Sequence, residues 1–262
     1  NLGGTPGNTN SILQENPDLN PPDIEKVIVK DIITLLLYFS ESIHFSTMPF
    51  QIDHNIDIAN FQFVDPNHQI VQLELYDPIL EKTIYTLTIK DSILDCCDHL
   101  IPLNRVITFA IPESPVKGDI VINEILTNSF NETDADFVEL YNRSSKIIDV
   151  GKMRIGNGTN GIPEKLVMIS SSGFLLFPNH YLAVCKNKNL TKTQYMISDL
   201  KTLIETDSIP NFTNSEGTIF LTDFSLNIMD QITYSEEFHS PYLFNYDVVS
   251  LEKIDYNLIE NK

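Results

Sequence analysis

The feature that constrains this chain most is a recurring run of alternating apolar and polar residues, each closed by a turn signal. In Val71-Gln72-Leu73-Glu74-Leu75-Tyr76-Asp77, Val71, Leu73 and Leu75 fall on one face, and Gln72 and Glu74 fall on the other. Tyr85-Thr86-Leu87-Thr88-Ile89 repeats the pattern. Successive side chains of an extended strand point to opposite faces, so one apolar and one polar face predict an antiparallel strand covered on one side only. Asp65-Pro66-Asn67 and Asp77-Pro78 separate such runs at the spacing of an all-β sandwich.

Further runs are Val27 to Val29, Ile33 to Phe39, Ile56 to Val64, Ile70 to Tyr76, Thr83 to Ile89 and Arg105 to Ile111. Then Pro112-Glu113-Ser114-Pro115-Val116-Lys117-Gly118 interrupts them, and its bracketing prolines predict a stiff, extended linker. Strand-like text resumes at Ile120 to Leu126, Phe137 to Asn142, Gly173 to Phe177, Tyr181 to Lys186, Thr218 to Thr222 and Ile228 to Tyr234. Asn189 to Ser198 is the one helical candidate, and Gly156-Asn157-Gly158-Thr159-Asn160-Gly161 reads as a flexible loop. Two β-sandwich modules in tandem are therefore expected.

Composition narrows the partners. Among 262 residues, 17 Lys+Arg stand against 36 Asp+Glu, a formal charge of -19, with the acidic excess shared by both halves. Nucleic-acid and anionic-lipid binding both need clustered cations, so neither is expected. The longest apolar stretch, Ile32 to Phe39, is far short of the roughly 20 residues that span a bilayer, so no membrane insertion is expected. Asn1 to Gly7 form no basic region leading into an apolar run, and the chain reads as a slice of something longer. Cys96, Cys97 and Cys185 make no metal-ligand spacing and read as thiols.

No catalytic, cofactor-binding or metal-binding residue is assigned from the sequence, and an enzyme is not expected. Asn131-Glu132-Thr133-Asp134-Ala135-Asp136 with Glu139, in the acidic turn 131–139, is the densest source of oxygen ligands for calcium. It lacks the spacing of a calcium loop, and a solvated acidic turn is the expected reading; Asp91, Asp95 and Asp98 invite the same question. His44, His54, His68, His99, His180 and His239 are scattered, and no Gly-x-Ser-x-Gly elbow occurs. His239-Ser240-Pro241-Tyr242-Leu243-Phe244-Asn245-Tyr246 gathers aromatic rings in one loop, expected to pack onto its own sandwich. Asp91-Ser92-Ile93 and Asp207-Ser208-Ile209 resemble a short acceptor motif for bacterial O-glycosylation.

From Gly118 onward the motif order resembles a bacterial lamin-tail domain, an immunoglobulin-like sandwich. The carriers are Asp119 to Leu126, Asp136-Phe137-Val138-Glu139-Leu140-Tyr141-Asn142-Arg143-Ser144, Ile148 to Gly151, Leu175 to Val184, Asn214 to Leu221, Asp230 to Ser235 and Ser250 to Ile254. A Trp common after the Ile-Asp-Val segment is missing, and Met153 or Ile155 must fill its place. Gly4-Thr5-Pro6-Gly7-Asn8-Thr9-Asn10-Ser11 resembles the family's closing signature, as if a preceding copy ended there. Residues 22–113 resemble the immunoglobulin-like domains of bacterial S-layer proteins, through Asn20-Pro21-Pro22, Tyr38 to Glu41, Tyr85 to Ile89 and Ile93 to Cys96. The expected architecture is two tandem immunoglobulin-like antiparallel β-sandwiches, with 1–21 and 114–118 as linkers and 119–262 as the lamin-tail unit. The resemblance implies a monomeric, non-catalytic spacer or adhesion segment of an exported cell-surface protein. Its partner would be a protein or glycan outside the cell. The alternative is an accessory, carbohydrate-binding part of a secreted hydrolase.

Overall fold

The computed structural model describes residues 20–127, 136–197, 199–206, 209–210 and 212–256. It is an all-β structure with several antiparallel sheets. Its first strands are β1 (Ile24–Asp31), β2 (Thr34–Phe39), β3 (Phe50–Ile52), β4 (Ile58–Phe63), β5 (Ile70–Leu75), β6 (Tyr85–Ile89) and β7 (Val106–Phe109). They form sheets ordered β1-β2-β5-β4 and β3-β6-β7. The alternation read in the sequence becomes burial. Leu35 pairs with Leu73 and Leu37 with Val71 across the β2–β5 ladder, and all four are fully buried. From the other sheet Leu87, Ile89 and Phe109 join the same core. Each such fully buried aliphatic side chain contributes roughly 1.5–3 kcal/mol. Tyr85 is buried with its hydroxyl accepting from the Leu80 amide at 2.9 Å, so its one polar atom is satisfied.

The remaining elements are β8 (Ile120–Leu126), β9 (Phe137–Asn142), β10 (Ile148–Asp149), β11 (Arg154–Thr159), β12 (Ile162–Met168), β13 (Leu175–Leu176), β14 (Tyr181–Cys185), helix α1 (Lys188–Gln194), β15 (Leu203–Glu205), β16 (Glu216–Thr222), β17 (Ile228–Ser235) and β18 (Leu251–Glu252). Sheets ordered β15-β14-β9-β8-β18 and β12-β11-β16-β17 enclose a second core, and β10 pairs with β13 beside them. Ile122, Val138 and Leu182 enter that core from one sheet, Ile155, Ile219 and Leu221 from the other. Met153 and Ile155 are both buried there.

Three expectations need correction. The stretch 156–161 is not a loop: residues up to Thr159 belong to β11, and only Asn160-Gly161 turns the chain into β12. Both turn residues have positive φ, 51° and 76°, the backbone of the tight hairpin turn that Asn-Gly favours. The helix is shorter than expected and begins earlier, because Asn187 caps it by accepting from the Leu190 amide at 3.1 Å. Its position explains the third difference: β14 and β15 pair in parallel, and a parallel pair needs a long crossover such as α1 supplies.

The linker is held by the second half. The Glu113 amide donates to the Ile147 carbonyl at 2.7 Å, and Asp119 accepts from the Val116 amide and from Lys146 Nζ at 2.8 and 2.7 Å. No helix among the described residues is long and apolar enough to cross a membrane.

Candidate functional site

Two concave regions carry most of the polar chemistry. The first lies between the two cores. Asp23, just before β1, receives Arg105 in a bidentate pair, Nε and a terminal nitrogen each at 2.8 Å. On its other side Lys201, from the 3-10 turn leading into β15, approaches the same carboxylate at 2.9 Å and donates to the Ile24 carbonyl at 3.2 Å. Burial opposes ionisation of Asp23, but Arg105 and Lys201 outweigh it and hold the carboxyl below its ordinary range. Farther along β1, Lys26 donates to Ser172 Oγ, and burial lowers its ammonium pKa against the pull of Glu25 and Asp149. Gly173 sits where a Cβ would meet Ile28 and Asp149 side-chain atoms at 3.2 Å, and its φ of 77° itself favours glycine. Leu175 reaches across to pack on the first core. Around these contacts runs a groove of about 450 Å³, floored by Val27, Ile107 and Leu175.

Tyr181 and Thr202 border this groove and also a second pocket of about 380 Å³ on the outer face of the five-stranded sheet. Cross-strand register builds its floor from Glu124, Glu139 and Ala183 and continues the row beyond it to Glu252. Glu252 of β18 pairs with Glu124 of β8, and Glu124 pairs with Glu139 of β9. Ala183 of β14 follows opposite Glu139. Three carboxylates therefore stand in one row, ending at a small side chain that leaves room above it. Rings wall the row on both sides. Tyr181 stacks on Tyr141 with centroids 4.5 Å apart, and Tyr256 meets Tyr141 edge-on at 4.9 Å. On the other side Phe137 meets Tyr195 at 5.6 Å, and exposed Met196 forms the rim.

The electrostatics of the row are unfavourable as it stands. Burial pushes the Glu124 carboxyl up, Glu252 adds to this, and a hydrogen bond with Ser250 opposes it. Glu139 is pushed up by burial and by Glu124 and Glu252, against a 2.9 Å bond from Asn123 Nδ2. Lys253, next to Glu252 in sequence, turns inward: its ammonium lies 3.6 Å from Asp230, and both side chains are buried. Tyr195, a wall residue, has its hydroxyl buried without a hydrogen-bond partner among the described residues.

The residues singled out in the sequence fare unevenly. Positions 131–135 and 207–208 lie outside the described residues, as do 1–19 with the closing-signature resemblance. Asp91 and Asp95 do not converge on a common point. Asp91 accepts from Thr47 Oγ1 and the Ser92 amide, both at 2.7 Å. Asp95, fully buried, accepts from the Cys97 and His99 amides and from the His99 ring at 2.7 to 2.9 Å. Burial raises its pKa, but these bonds together prevail and hold it below the ordinary value. Among the described residues no three His, Cys, Asp or Glu side chains are grouped as a metal ion requires. The sulfurs of Cys96 and Cys97 stand 3.9 Å apart with no disulfide between them, and Cys185 is buried, which pushes its thiol up.

Histidines serve local structure where contacts are resolved: His68 stacks on Phe63 at 4.4 Å, and His180 Nδ1 lies 2.9 Å from the Pro178 carbonyl. The aromatic loop overturns its expectation. Only His239 and Tyr246 stack on each other, while Tyr242 is 90% and Phe244 fully exposed.

No family profile matches the chain, and no curated protein sequence does. Among solved structures it is similar to a DUF4876 family protein from Bacteroides thetaiotaomicron VPI-5482, at 15% identity over 59% of this chain and 57% of that one, with a TM-score of 0.29. It is also similar to the S-layer protein rSbsC(31-844), at 10% identity over 82% of this chain and 40% of that one, with a TM-score of 0.31. The chain thus spans well under two thirds of either neighbour. The likeness is too loose to carry function.

Proposed function

We propose that the chain is a non-catalytic structural segment of an exported cell-surface protein. In this reading an immunoglobulin-like unit over 22–113 and a lamin-tail-like unit over 119–262 are held in one fixed relative geometry as a rigid spacer. The observation that carries it is the joint. Asp23 accepts both Arg105 from its own side and Lys201 from the other, Lys26 reaches Ser172, and Leu175 seats on the first core. Short bonds also pin the linker. A spacer transmits geometry only if its joints are stiff, and side-chain contacts on two flanks of a short linker restrict bending in more than one direction. The motif order after Gly118 supports the surface setting.

Small-angle scattering on the chain and on the double variant Asp23→Ala/Lys26→Ala tests this. The native profile is expected to fit a single arrangement of the two cores, and the variant to need an ensemble with a larger radius of gyration. A native profile that already demands many arrangements would refute the spacer reading.

A further inference from the structure

We propose that the ring-walled pocket on the outer face of the five-stranded sheet binds an organic ammonium group, carried by a small diamine or by a lysine side chain. Like charges placed directly opposite on neighbouring strands destabilise a sheet, and here Glu252, Glu124 and Glu139 lie consecutively in register. The groups facing them are the neutral Ser250 and Asn123 and the phenols of Tyr181 and Tyr195. The neighbouring cation, Lys253, is committed to Asp230 on the core side. Ser250 and Asn123 offset the repulsion only by neutral hydrogen bonds, and a cation from outside would compensate the charge itself.

The walls fit the same ligand. Aromatic faces attract ammonium groups, most strongly where water is excluded, and Tyr181 and Tyr195 flank the row. A bare metal ion suits the place poorly, because its ligands must converge on one point and the described carboxylates do not. A neutral sugar would stack on the rings but leave the carboxylate charge uncompensated. Volume agrees: about 380 Å³ accommodates a small ligand or one long side chain.

Calorimetric titration at pH 7 tests this with 1,4-diaminobutane and, in a second arm, a terminally blocked Gly-Lys-Gly peptide. Calcium chloride and glucose serve as competing probes. The expected result is saturable binding of one or both ammonium probes, weakened about tenfold or more in Glu124→Gln/Glu139→Gln. The relative affinity of the two arms tells a free amine from a lysyl peptide. The double variant keeps side-chain volume, and an undiminished melting temperature confirms that it is folded. As a second readout, Tyr195→Leu, which removes an aromatic face from the wall, is expected to weaken binding by a smaller factor. No saturation by either ammonium probe at millimolar concentration, affinity unchanged by the double substitution, or binding of calcium or glucose alone would overturn the proposal.

Discussion

Asn142 offers the sharpest test of how the second core is held. It ends β9 and is fully buried, yet every polar atom of its side chain is used. Its amide donates to the Lys146 and Leu176 carbonyls at 2.8 and 2.9 Å, and its oxygen accepts from the Ser144 amide and hydroxyl at 3.0 and 2.7 Å. Replacement by Ala strips partners from two backbone carbonyls, one deeply and one partly buried, and frees the Ser144 turn. Orphaned buried groups cost roughly 1–3 kcal/mol each, so the sum is about 3 kcal/mol. That is a large share of the roughly 5–15 kcal/mol that holds a typical domain. Urea unfolding of the whole chain should show the loss as a lower midpoint at unchanged slope. Hydrogen exchange should quicken in 137–149 and 175–182 but not in 24–109. Asn142→Asp sharpens the test, because it sets a carboxylate oxygen against the two carbonyls at the same volume. Its pKa must rise on folding, so the folded chain binds the extra proton, and the variant should lose stability as pH rises from the ordinary aspartate value. An Asn142→Ala cost below about 1 kcal/mol would show that the carbonyls find other partners and would refute the reasoning.

The acidic row predicts pH behaviour of unusual sign. Folding raises the pKa of Glu124 and Glu139 above the ordinary 4.5, so their contribution to stability falls as pH rises through that value and beyond; Asp23 and Asp95, held below 3.8, contribute stability that is lost as pH falls below it. Glu124→Gln should therefore raise the melting temperature at pH 7 and have little effect at pH 4, as scanning calorimetry can check; a drop at pH 7 would contradict it. At the misread hairpin, a Cβ added to Gly156 would lie 1.6 Å from the Lys165 carbonyl oxygen, so Gly156→Ala should break the β11–β12 ladder and cost several times more than Gly161→Ala. The latter meets nothing within 4 Å and carries only the left-handed backbone penalty of about 1–2 kcal/mol. Equal losses in the two melting curves would count against a steric role for Gly156.

Legibility followed the period of the pattern. β5 and β6 run where their alternation predicts, because a period of two over five or six residues is unambiguous. β3, β15 and β18 are two or three residues long and have no period to read. β11 was hidden by composition: Gly156 and Gly158 look like loop residues, yet a side chain there would collide with the backbone of β12. The acidic pocket was hidden by a subtler feature. Strict alternation from Ile120 and Ile122 would send Glu124 toward the core. The register instead slips between Ile122 and Glu124, leaving Asn123 as a bulge. The Ile122 amide at this bulge donates to buried Asp230 at 2.8 Å. Beyond the bulge the phase is reversed, so Ile125 enters the core and Glu124 faces outward opposite Glu139. Glu124 and Glu139 both lie in strands that the sequence displays plainly, but their meeting depends on one extra residue whose partner is far along the chain. A one-residue slip moves a whole set of side chains to the other face, and here it builds the pocket.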